Sequence, residues 1–295
     1  MHPFGIQVRS KRDRWEEAVK ATIPMFTKTS WAFEGEFYKF PARNVVPKPL
    51  QKPHPPLWVA CSNIATIGQA GAWGMGALGF TFVSPDAAKA WVHKYYNNLL
   101  HNQQRLTDYP ANPNIAMVSG FMCAETDEEA YEKASGWTFF IFALSHYGRK
   151  GIGAPGETNL WEEFQDWRHS EKAQKAFEGA LIGSPETIRR KLRMFQEAHV
   201  DQVILLNQAG KTSHADICGS LQMFADEVMP EFHGEEAQHA QWKDDVLNGR
   251  IVLEDLDTEG YDIYSHQNED IVRLTPEQLK AQMAAKEKEA ANGGN

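Results

Sequence analysis

The chain has 295 residues, 42% of them hydrophobic, and can therefore bury one sizeable core. Its formal net charge of −9 argues against a nucleic-acid partner, because phosphate binding needs a basic face. No run of about 18 apolar residues would span a membrane, and the basic N-terminal segment lacks the apolar stretch of a secretory signal. Three widely spaced cysteines without a CxxC pair argue against a zinc site or a disulfide framework, and they indicate a reducing cytoplasm.

Two local elements precede the first buried strand. Apolar spacing predicts an amphipathic helix over residues 10–27, with Ser10 as its N-cap. The alternating segment 31–40 predicts a small hairpin. The proline-rich segment 47–56 suits neither a helix nor a central strand, so it is predicted to be extended and exposed, His54 included.

Strand and helix patterns then alternate in regular order. Short apolar runs without polar alternation are typical of strands buried on both faces. The predicted strands are 57–61, 76–82, 115–124 and 200–207. The predicted helices are 64–73, 84–102, one from 127, one from 184 to about 198, and 214–229. This alternation predicts an α/β fold with a parallel sheet and right-handed crossovers.

Two regions depart from this pattern. Residues 137–182 are rich in aromatic side chains, and we interpret them as an insertion with its own helices, placed where barrel enzymes build ligand-facing loops. Beyond residue 233 the chain is charged and poor in core residues, which predicts one domain over 1–233 and an extension over 234–295. Within that extension, 275–291 is predicted to be helical because Ala, Lys and Glu dominate it.

Several segments, in order along the chain, carry a family resemblance. They are RWEEA at 14–18, FEGEFY at 33–38, PLQKPHPPLWVA at 49–60, GSPE at 183–186, DQVILL at 201–206 and DEVMP at 226–230. Together they resemble the luciferase-like flavin-dependent monooxygenases, which are (β/α)8 TIM barrels. The resemblance implies that the four predicted strands are barrel strands five to eight, so the chain would be the C-terminal half of a barrel, truncated at its N-terminal side. Four strands cannot close such a barrel, and we therefore expect a partner half, a dimer mate or a missing segment.

The first buried strand ends at a candidate phosphate site. Ser62 and Asn63 lie directly between this strand and a helix, and backbone N–H groups and hydroxyls at a helix N-terminus suit a phosphate. On the residues alone, plain helix capping explains both of them better. The resemblance implies instead that Ser62, and Thr66 one turn later, contact the phosphate of FMN. Cys61 stands where the family's luciferases often have an acidic residue.

Other candidate site residues lie at the ends of later strands and in the insertion. The resemblance implies that Gly79, Phe80 and Thr81 lie against the isoalloxazine ring, with a buried core Phe as the alternative for Phe80. A substrate pocket would include residues of the insertion and of the last strand end. Its candidates are Phe140, Tyr147 and Asn207, with His146 as a candidate for proton transfer. A packed or solvated side chain is the ordinary alternative for His146 and Asn207.

The resemblance implies an oxidoreductase that uses reduced FMN and O2 on a small apolar organic substrate. It also implies a separate flavin reductase and a homodimer. A deazaflavin (F420)-dependent oxidoreductase of the same superfamily is the first alternative, and a non-catalytic fragment or binding paralogue is the second. The sequence contains no GxSxG, HExxH, P-loop or GxGxxG motif, each of which would indicate another enzyme class. It also contains no set of residues at the spacing of metal ligands.

Overall fold

A computed structural model describes residues 10–79, 85–150, 159–207 and 212–257. The helix predicted at 275–291 and the end of the strand predicted over 76–82 lie outside the described residues. In the described part of the chain, no helix is long and apolar enough to cross a membrane.

The described helices and strands follow one another in nearly the predicted order. The helices are α1 (Lys11–Thr27), α2 (Ile64–Trp73), α3 (Pro85–His101), α4 (Asp127–Lys133), α5 (Ser135–Lys150), α6 (Leu160–Trp167), α7 (Glu171–Glu178), α8 (Pro185–Glu197), α9 (His214–Glu227), α10 (Met229–His233) and α11 (Glu236–Leu247). The strands are β1 (Ser30–Glu34), β2 (Lys39–Asn44), β3 (Trp58–Cys61), β4 (Gly76–Gly79), β5 (Ile115–Cys123), β6 (Leu181–Gly183) and β7 (Gln202–Leu206).

The predicted hairpin is formed by β1 and β2, and one carboxylate joins it to α1. Glu17 accepts hydrogen bonds from the backbone N–H groups of Glu36, Phe37 and Tyr38, at 2.9, 2.7 and 2.8 Å. Burial by itself would raise the pKa of Glu17, but these three donors outweigh it and lower the pKa. The contact between the Glu17 carboxylate and the hairpin leaves no room for a side chain at Gly35, where a Cβ would lie 2.3 Å from Glu17 Oε1. Two of the segments that carry the family resemblance therefore meet at Glu17.

The alternating elements form a parallel sheet, as predicted. β3 pairs with β4, β4 pairs with β5, and β5 also pairs with β7. A short strand that the sequence did not indicate, β6, pairs with the end of β5 at residues 121–123. Among the described residues the sheet is open, since β3 and β7 have one strand neighbour each.

Helices α2, α3 and α8 cover one face of this sheet, and α5 covers the carboxyl end of β5 on the other face. Alternate strand residues point into the main core with α2, α3 and α8, among them Cys61, Ala77, Met117 and Leu205. The residues between them lie on the opposite face, where Ala60 is exposed and Ile204 is 39% exposed. The prediction that the strands are buried on both faces is therefore wrong at the edges of the sheet, because no described helix buries Ala60 or Ile204 on this second face.

Two local predictions are also wrong. Ser10 makes no side-chain capping hydrogen bond to α1, and its hydroxyl instead accepts one from Arg14 Nε at 3.2 Å. Its φ and ψ of −97° and 7° are not the extended conformation that capping requires. His54 is 6% exposed, because its ring packs against Phe26 with centroids 5.8 Å apart and its Nδ1 lies 2.7 Å from Pro55 O.

A buried carboxylate connects the start of β7 to three other elements. Asp201 has a side chain that is 4% exposed. One oxygen accepts hydrogen bonds from the Tyr96 hydroxyl at 2.9 Å and from the Ile115 N–H at 2.7 Å. The other lies 2.8 Å from both His239 Nε2 and Lys243 Nζ. Burial by itself would raise the pKa of Asp201, but the hydrogen bond from His239 and the charge of Lys243 hold it below its ordinary value.

His199 adds a second contact between the C-terminal end of α8 and α11. It has a φ of +59°, at the position after a helix where glycine is common. Its ring stacks on Trp242 with centroids 3.8 Å apart and an interplanar angle of 5°. Burial, and then the neighbouring charges of His239 and His93, lower the pKa of His199 to about 4. The domain boundary after residue 233 stays a prediction, but α11 packs on the core and Val246 is buried.

Replacing Asp201→Asn should destabilise the protein by about 3 kcal/mol, because it removes a buried charge and leaves its two basic partners in place. The free energy of unfolding from urea titrations at pH 7 measures this. Asp226→Asn on the exposed side of α9 is the control. Equal unfolding midpoints for the two variants would contradict the role given to Asp201.

The pKa of His199 gives a second prediction. Its folded-state pKa of about 4 lies below the ordinary value of 6.5, so the unfolded chain binds more protons between these pH values. Stability should therefore fall as the pH falls through this window, with no such loss above pH 6.5. In His199→Asn, which tolerates a positive φ, we expect the melting temperature to fall less between pH 7 and pH 5 than in the parent. The exposed His101→Asn should keep the parent's pH dependence. If the melting temperature of His199→Asn fell as much between pH 7 and pH 5 as that of His101→Asn, the lowered pKa of His199 would be refuted.

Candidate functional site

The carboxyl end of β3 leads directly into α2, whose first turn is held by a reciprocal capping box. Asn63 Oδ1 accepts the Thr66 N–H at 2.9 Å, and Thr66 Oγ1 accepts the Asn63 N–H at 3.2 Å. The Thr66 hydroxyl also donates to Asn63 O at 2.8 Å. The side chains of Asn63 and Thr66, both predicted to contact the cofactor, thus stabilise the helix start.

Three donors at this helix start remain for a ligand. Ser62 is exposed. Within the described residues, neither its hydroxyl nor the N–H groups of Ile64 and Ala65 have a hydrogen-bond partner. The first turn carries no acidic residue. Unpaired donors at the positive end of a helix dipole form a suitable site for an anion.

The end of β4 lies beside this helix start, because Gly79 pairs in register with Cys61. A Cβ on Gly79 would lie 3.7 Å from Ile67 Cδ1, on the side of the sheet that α2 covers. Gly79 can therefore contribute to a ligand site through its backbone alone. Phe80 and Thr81 lie outside the described residues.

Cys61 is a buried, neutral member of the core. Its Sγ lies 3.4 Å from both Val59 O and Thr66 O, and burial raises the pKa of the thiol to about 12. The end of β3 therefore carries no negative charge that would oppose an anion next to Ser62.

Asn207 follows β7 at the same end of the sheet but further along the strand direction. Leu206 pairs with Gly120, whereas Gly79 pairs with Met117, so β7 ends three residues later along β5, roughly 10 Å away. Asn207 Oδ1 is buried and has no hydrogen-bond partner among the described residues. A buried acceptor of this kind usually has a donor from water or a ligand.

Aromatic side chains of α5 cover the carboxyl end of β5. Phe140 packs against Trp137 with ring centroids 5.9 Å apart, in a cluster that also includes Met122 and Leu206. Trp137 occupies the space that a side chain at Gly120 would need, since a Cβ there would lie 2.2 Å from the indole ring. Phe140 and Leu206, the last residue of β7, thus pack against the same cluster, and a role of Phe140 in a substrate pocket stays a prediction.

The other insertion residues lie further along α5. His146 is 9% exposed, its ring is 5.9 Å from that of Phe142, and its Nδ1 is 3.5 Å from Glu163 Oε2 on α6. Tyr147 lies on α5, but its side chain is outside the described part of the chain. These contacts place His146 in the packing between α5 and α6.

Sequence reasoning missed a cavity of about 460 Å³ between the N-termini of α4 and α8. Asp127 closes one side, accepting the Ser184 N–H at 2.6 Å and the Thr187 hydroxyl at 2.9 Å. The charged residues that line the cavity are Glu125, Asp127, Glu128, Glu186, Glu227 and Arg189. An anion would face mainly carboxylates here, so the neutral start of α2 is the better anion site.

Removal of the Asn63 cap should cost about 1 kcal/mol of unfolding free energy, because the Thr66 N–H loses its acceptor. Asn63→Ala and the control Asn44→Ala, an exposed residue at the end of β2, are compared by urea denaturation. A change no larger than that of the control would show that Asn63 does not stabilise α2.

Comparison with known proteins adds a family and a fold. A family model described as luciferase-like monooxygenase matches residues 1–202. The chain is 39% identical over 59 residues to the oxygenase component of a flavin-dependent trigonelline monooxygenase from Acinetobacter baylyi, across 20% of this chain and 16% of that protein. It is 38% identical over 52 residues to an FMNH2-dependent dimethylsulfone monooxygenase from Pseudomonas putida, across 18% of this chain and 14% of that protein.

Similar solved structures share the fold at low identity. The monooxygenase RslO1 from Streptomyces bottropensis has a TM-score of 0.57 and 20% identity, over 78% of this chain and 64% of that one. The coenzyme F420-dependent tetrahydromethanopterin reductase from Methanopyrus kandleri has a TM-score of 0.54 and 18% identity, over 75% and 62%. The chain thus spans less than two thirds of the length of either structure.

Proposed function

Because this chain belongs to the luciferase-like monooxygenase family, we propose that it is part of a flavin-dependent oxygenase that uses reduced FMN and O2 on a small apolar organic substrate. In this proposal, β3, β4, β5 and β7 are strands five to eight of a TIM barrel. Their parallel pairing in this order supports it. The curated relatives named as flavin- and FMNH2-dependent monooxygenases support the choice of cofactor.

The observation that carries the proposal is the set of free donors at the start of α2. The hydroxyl of Ser62 and the N–H groups of Ile64 and Ala65 suit the FMN phosphate, and no carboxylate lies in the first turn of this helix. The cavity at α4 and α8 is lined mainly by carboxylates, which would repel a phosphate. Of these two places at the carboxyl side of the sheet, the start of α2 therefore fits a phosphate.

The rest of the site would exclude water and orient the reactants. When bound, reduced flavin supplies the chemistry that activates O2. Phe140 and Trp137 would shield the carboxyl end of β5 from solvent, which an oxygenase needs to protect its reactive states. The unpaired Oδ1 of Asn207 would accept a hydrogen bond from the flavin ring or the substrate. His146 stays a candidate for proton transfer, and Tyr147 a candidate for the pocket wall.

The proposal includes two protein partners. The trigonelline relative is named as an oxygenase component, which supports a separate reductase that supplies reduced flavin to this chain. A homodimer and a reducing cytoplasm complete the proposal.

An F420-dependent oxidoreductase is the alternative that a specific observation favours. A solved structure of similar fold is named as coenzyme F420-dependent. The phosphate donors at α2 would serve either cofactor, because both carry a phosphate next to a three-ring system. The chain's partial span of these structures leaves a non-catalytic role as a further alternative.

Titration of the protein with FMN tests the site. We expect saturable quenching of flavin fluorescence, and in Ser62→Ala a Kd raised by roughly 5- to 10-fold through loss of one hydrogen bond to a charged group. Ser30→Ala, an exposed serine on β1, should leave the Kd unchanged. A folded chain that binds no FMN at saturating concentration, or equal Kd values for the two variants, would refute the proposed phosphate site.

Parallel titrations with reduced FMN and reduced F420 distinguish the two cofactors. We expect tighter binding of FMN and faster O2 consumption by the FMN complex than by free reduced FMN. Binding of F420 alone, without O2 consumption, would instead support the alternative.

A further inference from the structure

The segment after α10 packs back onto the helices and strands that precede it. α11 and residues 248–256 are together called the C-terminal clamp, and the described residues up to 235 are called the body. Val246 of the clamp is buried, and Trp242, Leu253 and Leu256 pack against the main core of the body. The other contacts between clamp and body are polar, and several of them involve titratable side chains.

Two histidine rings and an indole ring lie together where α11 meets the body. His199 of the body stacks on Trp242 of the clamp, with centroids 3.8 Å apart. The ring of His239 on α11 lies 5.7 Å from that of Trp242 and 6.1 Å from that of His199. Histidine ordinarily changes its charge between about pH 5 and pH 8, so this contact contains groups that respond to pH.

The second half of the clamp crosses α3 beside a third histidine. His93 is buried, and its Nδ1 lies 3.0 Å from the carbonyl oxygen of Glu254. Asn97 Nδ2 donates to the carbonyl oxygens of Leu253 and Glu254, both at 3.4 Å. A proton on His93 Nδ1 can donate to this carbonyl whether the ring is charged or neutral, so acid does not break this contact. A charged His93 would, however, add a positive charge near His199.

His199 is surrounded mainly by basic groups. The carboxylate beside it, that of Asp201, already lies 2.8 Å from both His239 Nε2 and Lys243 Nζ. A proton on the partly buried His199 ring would therefore meet positive charges that this carboxylate does not compensate. The charged and titratable groups around this contact are His93 and Lys89 on α3, His239 and Lys243 on α11, and Asp201 before β7.

We propose that acid opens the C-terminal clamp as a unit while the sheet stays folded. In the docked state, Trp242 covers the His199 ring and the neighbouring basic groups oppose its protonation. In the open state the ring lies in water and binds a proton freely. Because acid favours the state that binds more protons, the open clamp becomes more populated as the pH falls.

The pKa of His199 sets the pH window of this opening. It is about 4 in the docked state, against an ordinary value of 6.5. Above pH 6.5 the ring is mostly neutral in both states, so the docked clamp keeps its full stability. Below that value the open state takes up the proton first, and the docked state loses stability progressively. Between pH 7.5 and pH 5 the ratio of open to docked clamp should rise by about 25-fold.

Opening of the clamp also removes two polar partners of Asp201. His239 and Lys243 leave with α11, whereas the Tyr96 hydroxyl and the Ile115 N–H remain. The starts of β5 and β7 are therefore held less firmly in the open state. An effect on the candidate site at the far ends of these strands would rest on the proposed function, whereas the opening itself does not.

Hydrogen exchange of the full chain without flavin tests the clamp. Protection factors of α11 and β5 amides are measured at pH 7.5 and pH 5, with and without urea below the unfolding transition. We expect lower protection in α11 than in β5 at both pH values, and little effect of urea on α11, because local opening exposes little surface. At pH 5 the protection of α11 should fall by about 25-fold. Circular dichroism checks that the chain stays folded at pH 5.

Variants of one histidine connect the opening to its cause. His199→Asn should reduce the loss of α11 protection to less than about 3-fold, because the proton-binding ring is gone. His199→Gly suits the φ of +59° at this position, and it decides if His199→Asn does not fold. His101→Asn, an exposed histidine at the end of α3, is the matched control and should keep the loss seen in the parent.

Equal protection of α11 and β5 would show that the clamp opens only with the whole fold, and it would overturn the inference. The same holds for an α11 protection that is unchanged between the two pH values. An equal loss of protection in His199→Gly and His101→Asn would also overturn it, because the proton would then act elsewhere.

Discussion

The buried carboxylate of Asp201 is the interaction on which the positions of the strands and of α11 depend. It lies just before β7 and takes its hydrogen bonds from the start of β5, from α3 and from α11. A charge buried this completely is tolerated only while its donors stay in place. Because the Ile115 N–H fixes the start of β5 next to the start of β7, it also determines how far each strand reaches at the opposite end, where the candidate site lies.

At that opposite end, charge distinguishes the start of α2 from the starts of α4 and α8, which carry carboxylates in their first turns. The first turn of α2 has no carboxylate, and the thiol of Cys61 beside it is neutral. The cavity at α4 and α8 is lined by carboxylates, and Asp127 already uses the donors of Ser184 and Thr187. A helix N-terminus is therefore an anion site only where the surrounding side chains leave its donors free, and this condition selects α2.

Much of the fold follows from local signals. Asn63 caps α2 as predicted, and α8 begins within one residue of its predicted start, at Pro185, because a cap or a first-turn proline acts on the residues next to it. β6 was missed because it has three residues and pairs only with the end of β5. The cap expected at Ser10 failed because the backbone there is not extended, and His54 is buried because Phe26 packs on it.

The sequence alone determined the alternating strands and helices, the hairpin and the segments that resemble the family, since these depend on spacing and on neighbouring residues. Only the tertiary structure decided which donors stay free. Thr66 was predicted to contact the cofactor, and only the tertiary structure shows that its hydroxyl also stabilises the start of α2. Tertiary structure also decided that one face of the sheet is open at Ala60 and Ile204. Apolar composition shows that a strand can be buried, but burial also requires a partner for each face, and the sequence of one strand does not specify it.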